Sequence, residues 1–206
     1  MSFGTLDALR ESLAQPAAGP RSPAYVAKML HAVPAATVVD RIAFFLDRCR
    51  GQRVVEFGAS GPLHERIRVA ASQYLGVDRE AAEDVIAFDL DDVSCAYLPS
   101  LFGAPPDVIV CGEILEHLSN PGWFLTRARA QWPGLPLLIS VPNAFSAVAA
   151  RRLLVDGVEN VNVDHVCWYS HRTLLTLLTR AGYEVAAFHW YTGDPFTAEG
   201  LIMVTR

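Results

Sequence analysis

Short hydrophobic runs alternate with longer amphipathic segments from residue 53 to the end of the chain. Seven such runs are present: Val54–Phe57, Tyr74–Val77, Val85–Phe88, Val108–Cys111, Leu137–Val141, Val185–Phe188 and Leu201–Val204. Four or five apolar residues in a row, spaced by helix-length segments, are typical of strands buried on both faces of a parallel sheet. The last two runs are joined by "HWYTGDPFTAEG", which is rich in turn residues and too short for a helical crossover. The pattern therefore predicts an α/β fold with a doubly wound, seven-stranded and mostly parallel sheet whose last strand is antiparallel.

The first 50 residues have a different pattern. Three amphipathic helices are predicted there, at 5–14, 24–33 and 36–49. A Pro-, Gly- and Ala-rich linker at 14–23 separates the first helix from the second. The sequence thus predicts an N-terminal helical cap, residues 1–50, followed by the main domain, residues 51–206.

Composition limits the classes of partner. The chain has 206 residues, 51% of them hydrophobic and 19% charged, so it can bury a large core. Seventeen lysines and arginines stand against 22 acids, which gives a formal net charge of −5. Binding to nucleic acid needs a basic surface that neutralises phosphates. We therefore expect a small-molecule partner rather than DNA or RNA.

The N-terminal and cysteine patterns favour a cytoplasmic protein. The first 15 residues lack the basic and apolar regions of a signal peptide, and no apolar stretch approaches the 18 residues of a membrane helix. The four cysteines, Cys49, Cys95, Cys111 and Cys167, form no C-x-x-C pair. We expect them to be free thiols in a reducing compartment. The oligomeric state, monomer or homodimer, is left open.

The turn after the first predicted strand suggests a ligand site. In "RVVEFGASGPLHERI" a buried strand ends at Glu56 and Phe57, and Gly58 begins a tight turn into a helix. In open α/β sheets, ligands bind at this carboxyl edge of the strands. A pyrophosphate would demand close backbone approach at two or three glycines, whereas Ser60 and Pro62 occupy the turn here. The ligand is therefore expected to lack phosphates.

Acidic residues recur where successive strands end. Asp78 follows the second run, twenty residues after Gly58, where a carboxylate can accept hydrogen bonds from both ribose hydroxyls. Asp89 follows the third run, within reach of an adenine, although acids also favour turns for purely local reasons. S-adenosylmethionine combines adenine, ribose and a cationic tail without phosphates. Glu56 is a suitable partner for that tail.

Four downstream motifs resemble class I S-adenosylmethionine-dependent methyltransferases, a family of Rossmann-like fold. "PDVIVCGEILEHLSNPGWFL" resembles the fourth strand and the helix after it, with Asp107, Glu113, Glu116, His117 and Pro121 at the characteristic positions. "LLISVPNAFS" resembles the fifth strand, and "NVDHVCWYSHRTLLTLLTRAGYEV" resembles the closing helix and sixth strand. The resemblance covers about residues 50–206. The first motif departs from the family, because only Gly58 of its usual three glycines is clearly matched.

The resemblance implies a methyltransferase that uses S-adenosylmethionine and acts on a small molecule, with the N-terminal helices closing over the acceptor. The predicted cofactor contacts are Glu56, Gly58, Asp78, Arg79, Asp89, Leu90 and Glu113.

Two histidines are candidates for the catalytic base, because methylation of a hydroxyl requires removal of its proton near pH 7. His117 lies in "GEILEHL", where a short helix would place it on one face with Glu113 and Glu116. His165 lies in a loop on the expected acceptor side. A structural role for either histidine is about equally well supported. No metal site is predicted, because the segment lacks a second histidine at a suitable spacing.

Other candidate acceptor contacts have simpler explanations. Trp168 and Tyr169 could form a wall for a ring, or a hydrophobic staple before the helix that Ser170 caps. Arg151 and Arg152 could bind an anionic acceptor group, or form a solvated helix face.

The sequence leaves two rival functions. One is a methyltransferase-like binding protein without turnover, which the degenerate glycine turn allows. The other is an NAD(P)-dependent enzyme, which the missing glycines and "GEILEHL" oppose. We expect a methyltransferase acting on a hydroxyl or amine of a biosynthetic intermediate, such as a sugar or nucleotide-linked sugar.

Overall fold

The computed structural model describes residues 32–101 and 103–206. The predicted helix 5–14 lies outside these residues, as does all of the predicted helix 24–33 except its last two positions, which are not helical.

Eight strands form a single sheet in the described residues. They are β1 (Val38–Val39), β2 (Arg53–Phe57), β3 (Gln73–Asp78), β4 (Val85–Ala87), β5 (Val108–Gly112), β6 (Leu137–Pro142), β7 (Val185–Tyr191) and β8 (Gly200–Thr205). The order across the sheet is β1-β7-β8-β6-β5-β2-β3-β4. Only the two pairs made by β8 are antiparallel. The predicted α/β class and the antiparallel last strand are confirmed, and all seven predicted runs are strands.

The eighth strand corrects the prediction of a helix over 36–49. Val38 and Val39 pair in parallel with Trp190 and Tyr191 at the edge of the sheet. Their β-branched side chains suit a strand. The helix begins only at residue 41, because the side chain of Asp40 accepts a hydrogen bond of 2.7 Å from the backbone N–H of Ala43 and so caps it.

In the described residues, five α-helices lie between the strands. They are α1 (Arg41–Cys49), α2 (Gly61–Ala70), α3 (Pro121–Gln131), α4 (Ala147–Arg151) and α5 (His171–Arg180). A 3-10 turn, Leu115–His117, follows β5, and a π-helical turn, Arg152–Asp156, extends α4. Ser170 caps α5 as predicted, since its side chain accepts a bond from the Thr173 N–H. None of the described helices has the length and apolar character needed to cross a membrane.

The sheet is buried on both faces. Alternate strand residues point to opposite sides, so Val55 packs in the cluster formed with α3 and α5, and Val54 in the cluster formed with α1 and α2. Phe124 of α3 and Phe45 of α1 are each fully buried in their cluster. All four cysteines are free thiols, as predicted.

A buried arginine fixes the loop that follows β4. Arg127 of α3 is 4% exposed. It donates hydrogen bonds to three backbone carbonyls of the loop, those of Leu90, Asp92 (3.1 Å) and Cys95 (2.7 Å). The carboxylate of Asp91 also accepts two backbone N–H bonds from residues just before α3. The loop that forms one wall of the site is thus tied to α3 by charged hydrogen bonds.

We expect Arg127→Ala to lower the free energy of unfolding by about 2–4 kcal/mol, because the variant leaves buried carbonyls without their charged donor. Urea denaturation measures the change. Arg180→Ala, at an exposed position at the end of α5, is the matched control and should change stability by less than about 0.5 kcal/mol. Equal losses for the two variants would contradict the structural role assigned to Arg127.

Candidate active site

A cavity of about 440 Å³ opens at the carboxyl ends of β2, β3 and β5. The structure brings most of the predicted cofactor residues together there. The predicted residues that line it are Glu56, Gly58, Asp78, Arg79, Leu90, Glu113 and His117. Phe88, Ile114 and Leu118 add apolar walls.

The turn between β2 and α2 approaches the cavity closely. Gly58 has a φ of 77°, and a Cβ there would lie 3.0 Å from the Ile114 side chain, so a glycine is required. Its N–H and that of Ala59 both donate to the Val77 carbonyl, which closes the turn against β3. Gly61 also has a positive φ, 69°. The turn therefore uses two glycines in the left-handed conformation, Gly58 and Gly61, of which only Gly58 was predicted.

Glu56 is a buried carboxylate at the floor of the cavity. It is 1% exposed, and the Tyr74 hydroxyl donates to it over 2.7 Å. The His64 Nδ1 lies 2.6 Å from the same hydroxyl. Burial raises the pKa of Glu56 to about 7, against the lowering effect of the Tyr74 hydrogen bond and of Arg41. Glu56 is thus poised to ionise when a cationic group binds.

Asp78 and Asp89, the two predicted ligands of the nucleoside, differ in position. Asp78 ends β3 and lines the cavity, where it accepts a bond of 2.6 Å from the Arg79 N–H. Asp89 is exposed and is not among the lining residues, and its carboxylate accepts the Asp91 N–H at 2.9 Å. The local turn role considered for Asp89 is the one that the structure displays.

Glu113 and Arg41 form a charged pair at the rim. Glu113 directly follows β5 with a φ of 58°, a strained conformation for a residue other than glycine. Arg41 lies 3.5 Å from its carboxylate and also faces the Tyr191 ring. Burial raises the pKa of Glu113, although Arg41 opposes the shift. Arg41 was missed by the sequence analysis, because its segment was assigned to the cap and a first-turn arginine carries no motif.

The geometry of "GEILEHL" differs from the predicted helix. The 3-10 turn begins only at Leu115, so Glu113 lies outside it and does not share a helical face with Glu116 and His117. Leu115 and Leu118 are buried in the core, and the Glu116 side chain is buried with them. Burial first, and then the neighbouring Glu113, raises the pKa of Glu116 to about 8.

A second cavity, of about 600 Å³, adjoins the first on the side of β6. Its lining is mainly polar and comes from the turn after β5, the end of β6, α4 with its π-helical turn, the loop before α5 and the connection between β7 and β8. The polar lining residues are Glu116, Asn143, Ser146, Arg152, Asn160, Asn162, His165, Thr192, Thr197 and Glu199. His165 therefore faces this second cavity, whereas His117 lines the first. Burial, with His117 nearby, lowers the pKa of His165.

Each pair of candidate acceptor contacts is divided by the structure. Tyr169 is buried and donates its hydroxyl to the Leu115 carbonyl, whereas Trp168 is 46% exposed at the rim of the second cavity. Arg152 lines that cavity next to Asn160, to which it donates a hydrogen bond. Arg151 instead forms an exposed ion pair with Asp156. Tyr169 is therefore part of the packed interior and Arg151 is solvated, whereas Trp168 and Arg152 are available to a ligand in the second cavity.

A doubly wound sheet with a glycine turn and carboxylates at its strand ends is typical of enzymes that bind an adenosine-containing ligand at this edge. A family model described as "Methyltransferase domain" matches residues 29–187. The chain belongs to this family, the class I S-adenosylmethionine-dependent methyltransferases, and S-adenosylmethionine is its methyl donor. The predicted family and cofactor are confirmed. None of the curated proteins matches the chain.

Solved structures share the fold. Small RNA methyltransferase HEN1 aligns with a TM-score of 0.64 and 17% identity over 86% of this chain, which spans 27% of the HEN1 chain. An S-adenosylmethionine-dependent methyltransferase from Archaeoglobus fulgidus aligns with a TM-score of 0.59 and 14% identity. The alignment covers 80% of this chain and 90% of that protein's chain. Burkholderia thailandensis 1,6-didemethyltoxoflavin-N1-methyltransferase, with bound S-adenosylhomocysteine, aligns with a TM-score of 0.55 and 17% identity. The alignment covers 80% of this chain and 76% of that protein's chain. At these identities the similarity concerns the fold.

We expect Asp78→Ala to weaken S-adenosylmethionine binding by about 1.5–3 kcal/mol, the scale of hydrogen bonds to a charged group. Isothermal titration calorimetry measures the loss. The matched control is Asp89→Ala, because Asp89 lies outside the cavity lining; its affinity should change far less. Unchanged affinity in a folded Asp78→Ala protein would mean that Asp78 does not hold the ribose.

The affinity for S-adenosylmethionine should also depend on pH through Glu56. With a pKa of about 7 in the free protein, Glu56 is largely protonated at pH 6 and ionised at pH 8. A cationic ligand favours the ionised form, so affinity should fall as pH falls from about 7.5 to 5.5, by at most about tenfold per pH unit. Calorimetry across this range measures the dependence, and Glu56→Gln should flatten it. A wild-type affinity that is constant with pH would show that no cation faces Glu56.

Proposed function

We propose that this protein transfers the methyl group of S-adenosylmethionine to a hydroxyl or amine of a small, polar biosynthetic intermediate, such as a sugar or nucleotide-linked sugar. The observation that carries the proposal is the pair of adjoining cavities. One has the acids and apolar walls suited to the cofactor, and the other is polar and large enough for an acceptor.

Charges in the first cavity suggest how the cofactor binds. Asp78 would accept hydrogen bonds from the ribose hydroxyls, and the apolar side chains of Phe88 and Leu118 would hold the adenine. Glu56 would pair with the ammonium of the methionine end. Arg41 and the N-terminus of α2, where helix N–H groups carry a partial positive charge, would hold its carboxylate.

The second cavity suggests the acceptor. Arg152 is its cation and is suited to an acidic group such as a phosphate. Trp168 offers an exposed ring face on which a sugar or base can stack. The remaining amides, hydroxyls and carboxylates suit a ligand with several hydrogen-bonding groups. These are the features of a polar small molecule rather than of a hydrophobic one.

The reaction is an in-line displacement. The acceptor oxygen or nitrogen attacks the methyl carbon, and the carbon–sulfur bond breaks with its electrons remaining on sulfur, which gives S-adenosylhomocysteine. Alignment of the two reactants supplies most of the rate enhancement. A hydroxyl acceptor must also lose its proton, and His117 and His165, which line the first and second cavities, are the candidate groups for this step.

A direct test combines binding with turnover. The chain should bind S-adenosylhomocysteine and not NAD in calorimetric titrations, and should transfer a labelled methyl group to a member of a panel of sugars, nucleotide-linked sugars and related amines. Tight binding of S-adenosylhomocysteine without transfer to any acceptor would support the rival, a binding protein without turnover.

Because the net charge is −5, we expect no submicromolar, salt-dependent complex with duplex DNA or RNA. Such a complex would contradict the small-molecule acceptor.

We expect at least one of His117→Ala and His165→Ala to lower kcat by about tenfold or more, because a group that assists proton removal contributes about 10²–10⁴-fold. Affinity for S-adenosylhomocysteine should remain within about twofold of wild type in the His165→Ala protein, since His165 does not line the cofactor cavity. Steady-state kinetics with an acceptor identified from the panel measure the change in kcat. If both variants turn over normally, alignment alone accounts for the rate, or the acceptor is a neutral amine.

A further inference from the structure

Three metal-ligating side chains from two distant segments meet between the cavities. Glu116 and His117 belong to the turn after β5, and His165 to the loop before α5. One donor atom of each lies within 4.8 Å of the other two. The two imidazole rings are perpendicular, with their centroids 4.5 Å apart. A carboxylate with two imidazoles is a donor set that first-row transition-metal ions bind, with coordination positions left open.

The carboxylate of Glu116 provides a second, independent observation. Glu116 is 1% exposed, and neither of its carboxylate oxygens has a hydrogen-bond partner in the described part of the chain. A carboxylate buried without a donor is unfavourable, and a bound cation removes that penalty. The side chain is also among the residues that line the acceptor cavity.

The backbone holds the two segments together. The N–H groups of Val166 and Cys167 donate to the Glu116 carbonyl at 2.8 and 3.1 Å. The Tyr169 hydroxyl donates to the Leu115 carbonyl at 3.3 Å. These bonds fix the loop that carries His165 against the turn that carries the other two ligands. Ligands at about 2.0–2.2 Å from one ion lie roughly 3–3.5 Å apart, so the donor atoms must move closer together when an ion binds.

We propose that Glu116, His117 and His165 bind one divalent first-row transition-metal ion whose open positions face the acceptor cavity. His117 lines the cofactor cavity and the other two line the acceptor cavity, so the ion lies at their junction. The sequence pattern indicates no metal site here, because no second histidine lies at a suitable spacing near "GEILEHL". The second histidine lies 48 residues further along the chain.

The role of the ion rests on the proposed function, whereas its binding does not. A hydroxyl bound to a dication releases its proton to solvent water more readily. Its oxygen then forms the bond to the methyl carbon, the sulfur–carbon bond breaks with its electron pair remaining on sulfur, and neutral S-adenosylhomocysteine leaves. In this arrangement the two histidines hold the ion, and the proton is removed at the metal-bound oxygen.

Metal binding can be measured without any acceptor. The full chain is stripped with a chelator, dialysed and titrated with Co²⁺, and the d–d absorption and calorimetric heat are followed, with Mn²⁺ and Mg²⁺ in parallel. We expect one Co²⁺ per chain and weaker binding of Mg²⁺, which prefers oxygen ligands. Glu116→Gln, which keeps the side-chain shape, and His165→Ala should each weaken Co²⁺ binding at least about tenfold. Glu159→Gln (exposed) and His171→Ala (not lining either cavity) are the matched controls and should bind Co²⁺ as wild type does.

Titration of the same samples with S-adenosylhomocysteine separates the two proposals. Wild-type protein that binds S-adenosylhomocysteine but shows no saturable Co²⁺ binding would overturn the metal site and leave the methyltransferase proposal intact. Co²⁺ binding without S-adenosylhomocysteine binding would do the reverse. Co²⁺ binding that survives both Glu116→Gln and His165→Ala in folded proteins, as judged by thermal unfolding, would place the ion elsewhere and overturn the assignment.

Discussion

The position of β2 between β3 and β5 is the constraint on which the site depends. Both pairings are parallel, and Glu56 is aligned with Gly76 on one side and Val110 on the other. Parallel strands in register end at the same edge, so Asp78 and Glu113, which close the neighbouring strands, are brought beside Glu56. The packing of apolar side chains on both faces of the sheet fixes that register. The core therefore positions the charged groups of the site.

Burial at this edge has two consequences for chemistry. Burial raises the pKa of Glu56, Glu113 and Glu116, because it removes hydration from the charged form of each carboxyl. Each is therefore ready to take up a positive charge, whether the tail of the cofactor, the Arg41 guanidinium or a metal ion. A cluster of acids that is unfavourable in the empty protein becomes favourable when its cations are present, so the site gains selectivity for cationic ligands.

The turn after β5 connects the two cavities. Its backbone leaves the strand through the left-handed conformation of Glu113, and the loop before α5 holds it through hydrogen bonds to the Glu116 carbonyl. This connection makes the cofactor side and the acceptor side parts of one rigid frame. A methyl transfer needs such a frame, because a small misplacement of donor and acceptor costs a large factor in rate.

The sequence by itself determined the sheet, the antiparallel last strand, the family and the residues at the ends of successive strands. These features depend on local patterns: apolar runs, turn residues and a motif of contiguous letters. The positions of Asp78 and Glu113 at this edge could be predicted, because Asp78 ends its strand and Glu113 directly follows its own. Asp89 was predicted by the same rule. Its carboxylate instead accepts a hydrogen bond from the Asp91 N–H and lies outside the cavity lining, because the rule does not predict the conformation of the loop after the strand.

Only the tertiary structure decided which distant residues meet. Arg41 pairs with Glu113 across 72 positions of sequence, and His165 reaches His117 across 48. Neither contact leaves a periodic or spaced signal, because each results from packing between separate elements. The first strand was missed for the same reason: two valines are too few to show a pattern, and their strand exists only because the edge of β7 offers hydrogen bonds to pair with.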